Sequence, residues 1–104
     1  MHDLNETLAD ILKAIAQPTR LKIIDFLCDG ERCVCEIFPA IDHEQSNTSR
    51  HLNYMQNHGI LARRKDGVKI YYAVKHTEVF QIADLATEIM KHEVVSRSGL
   101  IKNK

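Results

Sequence analysis

The strongest constraint on this chain is a polar helix that stops at a glycine and runs at once into a basic hairpin. Gln45-Ser46-Asn47-Thr48-Ser49-Arg50-His51-Leu52 places small polar residues ahead of an Arg and a His. Ser46 is a suitable N-cap, Leu52 and Met55 fall on an inward face, and Gly59 ends the helix just past His58. Two strand-like runs follow, Ile60 to Arg64 and Lys69 to Val74, with Asp66-Gly67 between them as a hairpin signal. Such a pair suits a helix inserted in a DNA major groove and a hairpin wing gripping the flanking phosphates.

The remaining apolar pattern is helical. Leu4, Leu8, Ile11, Leu12 and Ile15 recur at helical spacing, so residues 4–16 read as an amphipathic helix. Pro18 opens a second helix, where its missing N–H costs little; Leu21, Ile24, Leu27 and Cys28 mark its inner face, and Asp29-Gly30 closes it. Residues 34–41 predict a short third helix with Val34, Ile37 and Ile41 inward and Pro39 limiting its length. A last helix from about Thr77 to Val94 carries Val79, Ile82, Ala83, Ala86, Ile89 and Met90, and a frayed tail is expected from Ser96.

This order, ααααββα, predicts a mainly α fold with a small β-hairpin wing (α+β), a winged helix-turn-helix. One domain is expected over 1–104, with the helix-turn-helix at 34–58, the wing at 60–75 and a tail at 96–104. Helices at 1–16 and 77–95 are left over from that unit. Their apolar stripes are available to form a homodimer, which is how helix-turn-helix proteins read paired half-sites.

Charge supports the same reading through its distribution. The chain has 14 basic and 14 acidic residues. Residues 43–75 hold six basic side chains, Arg50, Arg63, Arg64, Lys65, Lys69 and Lys75, against Glu44 and Asp66. That segment is therefore +4 and the remainder −4, the footprint of a basic DNA-reading face rather than of a uniformly charged surface. Arg50 is suited to a guanine edge or a phosphate, and Gln45 and Asn47 to adenine. Ser46, Thr48, Ser49 and His51 line the helix start, and Arg63, Arg64, Lys65 and Lys69 suit phosphates. No nucleophile–base pairing, Gly-rich phosphate loop or paired carboxylates points to an enzyme. No apolar run approaches a membrane span, the acidic Met1-His2-Asp3 start does not read as a signal peptide, and three cysteines do not read as a disulfide framework. A cytoplasmic protein is expected.

In combination, several motifs resemble the ArsR/SmtB family of metal- and metalloid-responsive repressors. They are Pro18-Thr19-Arg20-Leu21, Glu31-Arg32-Cys33-Val34-Cys35-Glu36-Ile37, Gln45 to Leu52, Gly59-Ile60-Leu61, Asp66-Gly67 and Tyr71-Tyr72. The resemblance spans roughly residues 5–92. It implies a homodimeric repressor that holds palindromic double-stranded operator DNA when ligand-free and lets go when a thiophilic ion binds, with no obligatory cofactor.

The sensing residues are then Cys33 and Cys35. Two residues apart in a regular helix they would point apart, so they converge only if Cys33 lies before helix three. Arsenic-sensing members are similar at Cys-Val-Cys but have a third Cys three residues on, where this chain has Phe38. The possible third thiol is Cys28, which reads equally well as a small buried hydrophobe. The N-terminal arm, which supplies Cys in the cadmium- and lead-sensing branch, has His2, Asp3 and Glu6 instead. The input is therefore a thiophilic ion resembling arsenite, antimonite, cadmium or lead, or, as the alternative, a disulfide formed among Cys33, Cys35 and Cys28. A weak second metal site, implied by position on the last helix, would use His76, Glu78 and His92, with Ile89 unable to ligate.

Overall fold

The computed structural model describes residues 3–41 and 44–102, with side chains described as far as Arg97. Five helices and three strands follow in the order α1 (Leu4–Ile15), α2 (Pro18–Phe26), β1 (Arg32–Cys33), α3 (Val34–Ile41), α4 (Gln45–Asn57), β2 (Leu61–Asp66), β3 (Lys69–Val74) and α5 (Glu78–Lys102). The expected winged helix-turn-helix is therefore present. Asp3 caps α1 by accepting from the Glu6 N–H at 2.8 Å. Gln17 does the same for α2, accepting from the Arg20 N–H at 3.0 Å, and Pro18 takes the first helical position.

The core forms where α2, α3 and α4 meet the sheet. Ile23, Ile24, Leu27, Ile37, Leu52, Met55, Ile60 and Leu61 are all buried, joined by Tyr72 and Val79. Each such aliphatic side chain contributes about 1.5–3 kcal/mol on burial. The inner face of α2 is Ile23, Ile24 and Leu27, whereas Leu21 and Cys28 stand exposed. The expectation for α2 holds at Ile24 and Leu27 and fails at Leu21 and at Cys28, the latter because the helix ends at Phe26 and Cys28 lies in the turn beyond it. The apolar stripes of α1 and α5 are largely bare, with Leu4, Leu8, Leu85, Ile89 and Val95 exposed.

Three differences from the sequence reading are local. A two-residue strand, β1, was not anticipated, because Arg32-Cys33 is too short to show alternation; it pairs antiparallel with β3, Arg32 opposite Tyr72 and Cys33 opposite Tyr71. The sheet order is β1-β3-β2. Secondly, α4 begins two residues early, with Glu44 rather than Ser46 at the cap position and no side-chain cap bond, so Ser46 lies inside the first turn. Thirdly, α5 runs through Ser96 to Lys102 where a tail was expected. That stretch has no proline, and its single Gly99 costs a helix only about 1 kcal/mol.

The wing turns through Gly67 and Val68, with Asp66 opposite Lys69. Gly67 has φ +62°, and no residue other than glycine has positive φ among those described. Glycine first and an ordinary residue second is the pattern of a type II′ hairpin turn, whose twist matches the flanking strands. A Cβ at Gly67 would meet open space, so only the backbone conformation resists substitution. We expect Gly67→Ala to destabilise the domain by about 1–2 kcal/mol, read from a denaturant melt, through left-handed strain alone.

Candidate DNA-reading face and its thiol input

Helix α4 presents one face outward and anchors the other. Gln45, Ser46, Arg50 and Asn53 are exposed, and Asn47 and Ser49 are half-buried beside them. Arg50 Nη2 donates to Asn47 Oδ1 at 3.2 Å, holding both side chains on that outward face. Asn53 was missed by the sequence reading, although it falls one helical turn beyond Ser49 and Arg50. Ser49, Asn53 and Arg63 line a cleft of about 330 Å³ between α4 and the wing, floored by Phe38 and Tyr72. Helix donors and a wing guanidinium thus meet in one groove, a suitable seat for phosphate.

Two expected contact residues belong behind that face. Thr48 is fully buried, so it cannot reach DNA, and its hydroxyl has no hydrogen-bond partner. Its position is dictated by Leu52 and Met55, since residues four and seven apart share a helix face and these two are buried. His51 is half-buried, and its Nδ1 accepts from Arg20 Nε at 3.2 Å. Arg20 was read only as part of a motif, yet it is a junction. Its Nη1 donates to the Lys13 carbonyl at 2.6 Å, and its guanidinium lies 3.9 Å from the Tyr54 ring centroid. Tyr54 in turn stacks on His58 with ring centroids 4.2 Å apart.

On the wing, Arg63, Lys65 and Lys69 are exposed. Arg64, expected to suit phosphate, is already engaged within the protein. Its Nη2 donates to Glu31 Oε1 at 2.6 Å and its Nε to Glu31 Oε2 at 3.1 Å. Its guanidinium lies over the Tyr71 ring at 4.5 Å. These bonds hold the Glu31 carboxyl below its ordinary range and raise Arg64 further.

The thiols lie at the start of α3. Cys33 ends β1 and Cys35 is the second residue of α3. This meets the condition for convergence: the two sulfurs are in disulfide contact, with Cα atoms 5.1 Å apart. Cys33 is buried and Cys35 exposed. Cys33 also serves as the N-cap of α3, since its Sγ accepts from the Cys35 N–H at 3.2 Å. Glu36 reaches back to accept from the Cys33 N–H at 3.2 Å, the returning half of a capping box.

Cys28 is not among these groups. It is exposed and lines a separate cleft of about 650 Å³ between α2 and α5, beside Asp25 and Asp84. His76 and Glu78 share a cleft with His58 near the base of α5. His92 lies fourteen residues beyond Glu78 on the same helix, about 21 Å away at 1.5 Å per residue, so one protomer does not bring the second set together. Among the described residues no three potential ligands converge on a common point, and His2 lies outside them.

Two outcomes follow from this geometry. Thr48→Val removes a buried, unpaired hydroxyl, so it should stabilise the domain by about 1 kcal/mol while leaving DNA affinity unchanged; a loss of DNA binding with intact stability contradicts the placement. Glu31 should titrate below the ordinary carboxylate range in a carbon-detected NMR titration, and Arg64→Gln should return it there. Because the folded value is the depressed one, the pair's contribution is present above the unfolded value and is lost as pH falls through the folded one.

Comparison with known proteins agrees with this architecture. The signature of the bacterial regulatory protein arsR family matches residues 17–63. An HTH-type transcriptional regulator of Methanocaldococcus jannaschii is 36% identical over 85 residues, covering 81% of this chain and 96% of that one. The cadmium resistance transcriptional regulatory protein CadC of Listeria innocua is 32% identical over 91 residues, covering 86% and 76%. The solution structure of the homodimeric winged helix-turn-helix DNA-binding domain Mb0332 of Mycobacterium bovis superposes with a TM-score of 0.77 at 27% identity, over 88% of this chain and 84% of that one. No described helix is long and apolar enough to cross a membrane. With its winged helix, outward polar α4 and matching relatives, the chain belongs to the arsR family of DNA-binding transcriptional regulators.

Proposed function

We propose that this regulator is a repressor whose hold on operator DNA is set by the Cys33–Cys35 dithiol, with oxidation to the disulfide as the input. The observation that carries this reading is the convergence of the two sulfurs at the α3 N-cap. A peroxide supplies the oxidant: the two thiols give up two electrons and two protons, an S–S bond forms, and hydrogen peroxide becomes two waters. Exposed Cys35 is the thiol an oxidant reaches first, and buried Cys33 resolves it. Because Cys33 caps the first helix of the DNA-reading unit, chemistry at its sulfur alters the start of that unit directly.

DNA is read by Gln45, Ser46, Asn47, Ser49, Arg50 and Asn53 from α4, with Arg63, Lys65 and Lys69 on the flanking phosphates. Two copies pair through α1 and α5, whose bare Leu8, Leu85, Ile89 and Val95 need cover, and the resulting two-fold axis matches a palindromic operator. A cytoplasmic location fits a regulator of this family that acts on DNA.

A second input is a thiophilic ion on the same two thiolates, favoured by the similarity to a cadmium resistance regulator. Two sulfurs suffice to bind such an ion, but a trigonal site needs a third donor, and Phe38 and the distant Cys28 do not supply one.

The test uses DNA selected from a random-sequence pool by the reduced protein. In a mobility-shift assay, hydrogen peroxide should weaken binding at least tenfold and dithiothreitol should restore it. Release by stoichiometric arsenite, antimonite, cadmium or lead under reducing conditions would identify the ion instead. Cys33→Ser/Cys35→Ser should respond to neither; a response equal to wild type sinks both inputs.

A further inference from the structure

The wing and the thiols are joined in a closed circuit of contacts. Cys33 stands opposite Tyr71 in the β1–β3 register, and Arg64 stands opposite Tyr71 from the β2 side. The Arg64 guanidinium covers that ring, and its two nitrogens grip both oxygens of Glu31. Glu31 is two residues before Cys33. The strand that carries the buried thiol is thus fixed to the wing twice, by backbone pairing and by a two-pronged ion pair.

An isolated exposed ion pair holds little. This one has bidentate geometry and an aromatic platform beneath it, features that give an Arg–carboxylate pair a defined position. Its place also matters. Arg64 is flanked on β2 by Arg63 and Lys65, two of the exposed cations of the wing.

We propose that Glu31 and Arg64 are positioning residues that carry the state of the Cys33–Cys35 dithiol to the wing. Arg64 does so without itself contacting DNA. A change at Cys33 moves β1 and Glu31, Glu31 shifts Arg64, and the spacing between the wing cations and α4 changes with it. This deepens the dithiol reading and rests on it. The thiols then act on both halves of the DNA-reading unit, on α3 through its cap and on the wing through the clamp.

The experiment measures DNA affinity of reduced and peroxide-oxidised full-length protein at several salt concentrations. Wild type comes first: equal affinities in the two states overturn the dithiol reading, and the relay with it. Given a wild-type difference, Glu31→Gln should keep the reduced-state affinity within about twofold, while the ratio between the two states collapses to less than a third of the wild-type ratio. An undiminished ratio in Glu31→Gln overturns the relay and leaves the dithiol reading standing. Arg64→Gln gives a separate readout. A residue bound to phosphate contributes about one unit per copy to the slope of log affinity against log salt, so an unchanged slope supports the positioning role and a slope lowered by about two for the dimer overturns it. The exchanged pair Glu31→Arg/Arg64→Glu should regain at least half of the wild-type ratio, a rescue that a merely structural role for either residue does not produce.

Discussion

The orientation of α4 depends on one guanidinium. Arg20 reaches from α2 to the end of α1 through the Lys13 carbonyl, and to α4 through His51 and Tyr54. Leu52 and Met55 supply the burial that holds α4 against the core, but burial is non-directional. It tolerates small adjustments of the helix that keep Leu52 and Met55 inside. The Arg20 contacts do not, because a hydrogen bond to one ring and a stack on another fix both position and rotation. His51 therefore supports the outward face of α4 from behind it. The outward residues, Ser46, Arg50 and Asn53, are aimed by contacts on the opposite side of their own helix.

The same division of labour recurs around the wing. Burial of Leu61 and Tyr72 fastens the hairpin to the core, and directional contacts at Arg64 set its relation to the β1 strand. The three-stranded sheet matters here more than its size implies. With only β2 and β3, the wing would be a hairpin with no strand from the Cys33 segment paired to it. β1 makes Cys33 part of the wing's own sheet, and the same residue caps α3.

Much of this was legible in the sequence, and the failures have a common physical origin. Long-range order of the elements was readable because each helix carries its own periodicity and the wing its own glycine. The outward set of α4 was half right. Gln45, Ser46, Asn47, Ser49 and Arg50 lie at that face, but Thr48 is polar and buried, and a residue's polarity does not reveal the side of a helix on which it falls. Helical phase does, and the buried positions Leu52 and Met55 place Thr48 inside and Asn53 outside. Arg64 defeats residue-type reasoning differently. Its partner Glu31 is 33 positions away, and nothing local distinguishes it from Arg63. Cys28 misleads because the helical stripe was carried past the residue where α2 stops. The dithiol itself was legible as a conditional statement, that convergence requires Cys33 to precede α3, and the boundary between β1 and α3 meets that condition.

Placing an oxidisable atom at a helix cap has a consequence on the other side of the equilibrium. Binding free energies are linked reciprocally, so whatever factor disulfide formation removes from DNA affinity, DNA returns as protection of the dithiol. Protein seated on its operator would then resist oxidant more than protein free in solution. Vacant copies would titrate first, leaving occupied promoters as the last to respond. Under the proposed dithiol input, a regulator built this way would buffer its own signal, with a threshold set by how many copies exceed the number of sites they guard.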